Sequence, residues 1–254
     1  MRRAEAMWGT VISIDVRDDV DPGIVDRCYA WFRRVDELFS TWRDDTEIMR
    51  LSRNLLEIED VSAEVAEVLE LCDRMRRESC GAFDITFGAR DSSAPRLDPS
   101  GIVKGWAIAR AADLLIEGGA HCFSIDAGGD VVTRGRPEGT AGWRVGIQHP
   151  WERDRVAAVL LVADFAVATS GLYERGEHVV DPRTGEPARE LVSVTVVGAD
   201  AALTDAYATA TVALGPAKGM RWLSNRSGYH GMAITRDRTV IMTPGFDHFR
   251  ISTG

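Results

Sequence analysis

The chain has 254 residues, with 45% hydrophobic and 27% charged side chains and a formal charge of −9. That length suits one large domain or two closely packed lobes with a sizeable core. The acidic balance argues against a protein built chiefly to grip nucleic acid or anionic lipid. No apolar run is long enough to cross a bilayer, the longest, "VAAVLLVADFAVA", being broken by Asp164.

The opening "MRRAEAMWGTVISIDV" carries two arginines but passes directly into a strand, without the apolar stretch of a signal peptide. A cytoplasmic protein is the expectation. In "GTVISIDVR", Ile12, Ile14 and Val16 alternate on one face, the pattern of a half-buried strand. Asp21-Pro22 then supplies a cap and first turn for a helix carrying Ile24, Val25, Cys28, Trp31, Phe32, Val35 and Leu38. The polar segment "FSTWRDDTEIMRLSR" breaks that pattern. Ser62 opens a second helix with the stripe Val65, Val68, Leu69, Cys72 and Met75. A third helix is predicted over 102–117, closed by Gly118-Gly119. Strands are predicted over 122–126, 130–134, 143–149, 156–162, 165–169 and 191–198. A helix within 203–215, a short one from Pro216 and a hairpin in "GMAITRDRTVIM" complete the chain. Helices and strands mix without regular alternation, which predicts an α+β fold.

Cys28, Cys72, Cys80 and Cys122 are scattered without a C-x-x-C pair, so buried free thiols are expected rather than a zinc site or disulfides. No G-x-G-x-x-G opens a helix after a strand and no G-x-x-x-x-G-K-[ST] occurs, so Rossmann and P-loop signatures are missing. "DAGGD" reads as a tight turn at Gly128-Gly129 flanked by Asp126 and Asp130, or as a close backbone approach to a ligand. In "LDPSGIVKGWA", Asp98 precedes a turn and Gly101 marks the helix start. Lys104 then lies in the first turn, against the dipole preference. An anion at that helix start explains the inversion, and a plain exposed lysine is the alternative. Ser170, His178 and Asp181 lack a G-x-S-x-G elbow and are not read as a hydrolase triad; "DPRTG" reads as a turn closed by Gly185.

"LTDAYATATVALG" poses the sharpest question. Asp205 and Thr209, four apart, share a helix face. A helix start offers one account: Thr204 or Asp205 as cap, the carboxylate on the positive dipole end, and Gly215 as stop.

Eight segments, in order, resemble the ApbE family, the FAD:protein FMN transferases. "MWGTVISIDV" resembles its M-G-T strand, "FSTWRDDTEIMRLS" its F-S-x-Y-x-x-x-S-E-[IL], and "GAFDITFG" its G-A-F-D-x-T-x-G. "LDPSGIVKGWAIARAADLL" is similar to L-D-x-[GS]-[AG]-I-[AV]-K-G-[YW]-A-x-D, and "DAGGD", "VATSGLYER", "HVVDPRTGEP" and "SVTVVGADAALTDAYATATVALG" follow. The resemblance implies one domain over 1–254, with mixed or antiparallel sheets and flanking helices in two closely packed lobes. It implies a magnesium ion held by Asp205, Thr209 and the carbonyl of Gly101. It also implies FAD contacts at Trp8, Trp42, Ala82, Phe83, Asp84, Asp98, Lys104 and Val179, with Trp8 replacing the family methionine and Trp42 its tyrosine. The implied reaction moves the FMN half of FAD to a Thr or Ser hydroxyl of an acceptor protein and releases AMP. His178 is the candidate base, and Lys104 offsets negative charge. Two alternatives use the same site: a magnesium-dependent FAD pyrophosphatase yielding FMN and AMP, and a non-catalytic FAD binder.

Overall fold

The computed structural model describes residues 1–86, 97–152, 154–171 and 180–251. Ten strands and six α-helices are found among them. Eight strands form one antiparallel sheet in the order β1 (Arg2–Met7), β2 (Thr10–Val16), β3 (Phe123–Ala127), β4 (Asp130–Arg134), β7 (Ala166–Gly171), β8 (Leu191–Gly198), β9 (His230–Thr235), β10 (Val240–Met242). A separate hairpin pairs β5 (Trp143–Gln148) with β6 (Val156–Val162).

The helices are α1 (Gly23–Phe39), α2 (Glu47–Ser52), α3 (Ala63–Glu78), α4 (Ser100–Glu117), α5 (Ala201–Leu214) and α6 (Pro216–Ser224). Four of them lie in the chain between the neighbouring strands β2 and β3, so the helices gather on one face of the sheet. Alternation then sorts the strand residues. Val132, Ala166, Val196 and Ala233 join a large core with the helices, while Val131, Val167, Val197, Met232 and Ile234 join a smaller core with Trp143, Leu160 and Phe246. This is the expected α+β architecture, with two packed cores. Every residue of β8 is buried, Ser193 and Thr195 included, as a strand covered on both faces requires.

The caps follow local chemistry. Ser62 accepts from Val65 N–H at the start of α3, and Asp21 accepts from Gly23 N–H at the start of α1. Three readings need correction. β1 went unread, because its hairpin turns on Trp8-Gly9, with φ of 55° and 74°, rather than on the Asn-Gly or Asp-Gly that signals such a turn. α2 is a short helix inside the polar segment, capped by Thr46 accepting from Met49 N–H. α5 is capped by Asp200, which accepts from Leu203 N–H at 2.9 Å, and not by Thr204 or Asp205.

Cys28 and Cys72 are buried and pushed up to about 12 by burial. The same expectation fails for Cys80, exposed in left-handed backbone just after α3, and for Cys122, half-buried just before β3. No helix among the described residues is long and apolar enough to cross a membrane.

Candidate functional site

Helices α4 and α5 cross closely and antiparallel, because one contact pairs Gly101 with Thr209 and the next pairs Gly105 with Asp205 and Ala201. A Cβ on Gly105 would overlap the Ala201 carbonyl oxygen and lie 2.9 Å from Asp205 Cβ. A Cβ on Gly101 would lie 3.1 and 3.2 Å from the Cγ2 and Oγ1 of Thr209. The glycines of "GIVKG" therefore set the spacing of the two helices, one turn apart on one face.

That spacing buries Asp205, which is only 3% exposed. Asp205 sits in the second turn of α5, inside the helix, so a capping role does not account for it. Its Oδ2 accepts from Gly105 N–H at 3.1 Å, a donor that in a regular helix serves the Gly101 carbonyl. Thr209 Oγ1 lies 3.0 Å from Ser170 Oγ on β7. Ser170 is thus a functional candidate missed as a site residue, since the strand pairing that delivers it is long-range.

Two cavities meet here. One, of about 160 Å³, is lined by Phe83, Gly101, Ser170, Asp205 and Thr209 among others. The second is a cleft of about 930 Å³ bounded by Trp8, Phe39, Trp42, Val103 and Gly128, large enough for a cofactor-sized ligand. Ser100 and Lys104 line both.

α4 points its start at this junction. Its N-cap is Pro99, and no acidic residue occupies its first turn. The helix begins at Ser100 rather than Ile102, so Lys104 stands one residue past the first turn. Its ammonium lies 2.7 Å from Oδ2 of Asp130, so the lysine is neither a plain exposed residue nor without a counter-charge. Asp130 is the buried partner of Lys104, and the turn chemistry belongs to Asp126, which accepts from Gly129 N–H at 2.9 Å. Gly128 and Gly129 take φ of 67° and 97°, as a tight turn requires. Burial raises the Asp126 carboxyl and the Asp130 charge adds to it, while Gly129 N–H and Lys104 oppose the rise.

Ala82 and Phe83 are buried at the wall of the smaller cavity, where they join the large core. Asp84 accepts from Thr86 N–H and Oγ1 and pairs with Arg76 at 3.0 Å. Burial raises its carboxyl, but these bonds outweigh the effect and hold it below the usual carboxylate range. Asp98 is exposed and accepts from Ser100 N–H at 3.1 Å. Trp8 packs edge-to-face on Phe32 with centroids 5.4 Å apart, and Trp42 stands 89% exposed at the cleft. Thus Asp205, Thr209, Gly101, Lys104, Ala82, Phe83, Asp84 and Asp98 gather at the smaller cavity, and Trp8 and Trp42 at the larger. His178 and Val179 lie outside the described residues. Asp181 is held by Arg183 at 2.7 Å and closes its turn through Gly185 N–H, so it has no place in a triad with Ser170.

No group of three or more His, Cys, Asp or Glu gathers among the described residues. The oxygen donors at the crossing include the buried Asp205 carboxylate, the Thr209 hydroxyl with Ser170 Oγ beside it, and the backbone of Gly101. An all-oxygen set with few protein ligands fits magnesium, which keeps water and substrate oxygens in its shell.

The ApbE family model matches residues 8–94 and 89–233. FAD:protein FMN transferases of Klebsiella pneumoniae and Escherichia coli K12 are each 27% identical, the alignments covering 73% and 85% of this chain and 69% and 79% of theirs. The flavin transferase ApbE of Vibrio cholerae superposes with a TM-score of 0.83 at 23% identity, over 98% of both chains. The ApbE protein of Thermotoga maritima superposes with a TM-score of 0.88 at 22% identity, over 99% of both.

Proposed function

We propose that this chain, which belongs to the ApbE family and is a transferase enzyme like its relatives, moves the FMN half of FAD onto a Thr or Ser hydroxyl of an acceptor protein and releases AMP. The whole chain acts as one domain. The observation that carries the reading is the burial of Asp205 inside α5, against Gly105 and one turn from Thr209, where helix capping has no use for it.

In the reaction, the acceptor hydroxyl oxygen bonds to the phosphorus of the FMN phosphate, and the bond from that phosphorus to the bridging oxygen breaks. AMP leaves with that oxygen, and the hydroxyl proton passes to a base. Such transfer depends on positioning and charge neutralisation rather than covalent help from the protein. Asp205, Thr209 and the Gly101 carbonyl would hold magnesium, which would supply charge neutralisation at the diphosphate. Ser170 Oγ, 3.0 Å from Thr209 Oγ1, holds that hydroxyl at the wall of the smaller cavity. Lys104 and the start of α4 face the phosphates from the other side. Trp8 and Trp42 wall the cleft that takes the ring systems of FAD, with Ala82, Phe83, Asp84, Asp98 and Val179 completing the contacts. His178 is the assigned base, from its place in "HVVDPRTGEP".

The test is incubation with FAD and Mg²⁺, with and without a co-expressed acceptor carrying a Thr or Ser segment. Mass spectrometry finding FMN on the acceptor, with equimolar AMP, supports transfer. Free FMN and AMP with the acceptor unmodified replaces transfer by hydrolysis. Bound FAD with no AMP removes the enzymatic reading.

A further inference from the structure

Asp130 is 1% exposed, and taking a carboxylate out of water costs several kcal/mol unless it is paired and hydrogen-bonded. Oδ2 meets the Lys104 ammonium at 2.7 Å, and Oδ1 accepts from Thr169 N–H at 3.2 Å. One side chain thereby ties β4 to α4 and to β7, at the residue before Ser170. Stability alone gives little reason for such a pair, since apolar residues of similar volume are often as good or better in its place. Its location supplies a reason. Lys104 is one of two among the described residues that line both cavities, and a lysine side chain loses about 2 kcal/mol of rotamer freedom when fixed. The Asp130 carboxylate holds the ammonium on the β4 side of that junction.

We propose that Asp130 is a positioning residue, which acts through Lys104 by pinning its ammonium at the junction of the two cavities. This rests on the assignment of FAD as donor, whose diphosphate must then lie across that junction. Asp126 is the other carboxylate that feels Lys104, and Asp130 raises its carboxyl, so the cluster is two acids and one base.

Asp130→Asn keeps the shape and an oxygen acceptor for Thr169 N–H while removing the charge. Two readouts separate the possibilities. Acylation of Lys104 by an N-hydroxysuccinimide acetate, followed by peptide mass spectrometry, needs no turnover. The variant is expected to react several-fold faster or more, because loss of the carboxylate charge at 2.7 Å leaves the amine more open to the reagent. Steady-state FAD turnover is expected to lose kcat by about tenfold, one 1.36 kcal/mol step, with KM moving less than kcat. In a Lys104→Met background, Asp130→Asn is expected to add no further loss of kcat. That background also serves if the single variant folds poorly, because it removes the cation whose charge Asp130 balances. Unchanged acylation overturns the proposal whatever the donor is. A kcat loss of equal size in the Lys104→Met background overturns it too, because Asp130 would then act without the lysine. Faster acylation in a protein that never turns over FAD would leave the pin standing and remove the FAD reading instead.

Discussion

Asp205 Oδ2 accepts a hydrogen bond from the backbone N–H of Gly105 at 3.1 Å, across the contact of α4 and α5. The bond joins the two helices through one carboxylate and draws on a donor that the Gly101 carbonyl would otherwise hold alone. A carboxylate, a hydroxyl and a carbonyl thus meet at one crossing, each supplied by backbone geometry rather than by a loop.

Asp205→Ala is therefore expected to abolish magnesium-dependent AMP release, by about 100-fold or more, since a catalytic metal is worth several kcal/mol. The fold should survive, because Gly105 N–H keeps its helical partner and no large side chain is lost. Chromatography of AMP and thermal melting of the variant check the two halves separately. Full turnover with magnesium would remove Asp205 from the metal site.

The helix crossing gives a second expectation. Gly105→Ala drives a methyl into the Ala201 carbonyl, whose backbone cannot rotate away. Overpacking of this kind costs about 1–3 kcal/mol, and separating the helices also pulls Asp205 and Thr209 on α5 away from Gly101 on α4. Urea unfolding should show the loss of stability, and AMP release should fall with it. The atoms nearest a methyl in Gly101→Ala are side-chain atoms of Thr209 and Phe83 at 3.1–3.2 Å, with no backbone as close, so its cost should be below that of Gly105→Ala in both assays. Equal effects of the two substitutions would contradict this account of the crossing.

Much of this arrangement was legible in the chain, and the illegible part has a physical pattern. The stripes of α1 and α3 and the alternation of β2 are periodic and local, so they read correctly. α5 is buried nearly all round, so it has no polar face to mark its start, and Thr204 and Asp205 read as its cap where Asp200 serves. Helical spacing placed Asp205 beside Thr209 but did not reveal that Asp200 had already taken the capping role. Ser170 and Asp130 reach their partners across sheet and helix, and no local rule links "ATSG" to Thr209 or "GGD" to Lys104. The Trp8-Gly9 hairpin hid β1 because a tryptophan at positive φ is the reverse of the usual preference.

The tryptophans at the cleft give a third expectation. Trp42 is 89% exposed, so Trp42→Ala should leave the melting temperature nearly unchanged. If its ring stacks on FAD, the loss of a contact worth about 0.5–1.5 kcal/mol weakens binding by roughly 2- to 13-fold, measurable by quenching of flavin fluorescence. Trp8→Gly relieves a left-handed residue but gives up the packing on Phe32. Its stability change should be small, while FAD affinity falls. Unaltered flavin binding in both variants would place FAD elsewhere.

The cysteines offer a test of the described burial that is independent of any activity. The thiolate is the species that alkylates, and burial holds the thiols of Cys28 and Cys72 at about 12. At pH 8 a thiol of that pKa is about one part in ten thousand ionised, and the reagent also has no path to it. Iodoacetamide at that pH should modify the exposed Cys80 in the native protein and leave Cys28 and Cys72 untouched until denaturant is added. Cys122, half-buried and raised by burial and by Asp18, should react more slowly than Cys80. Peptide mapping by mass spectrometry reads all four at once. Prompt native labelling of Cys28 would mean that α1 opens from α4, whose Ala111 carbonyl accepts the Cys28 thiol. The helix layer that seats Asp205 would then be far less rigid than its packing indicates.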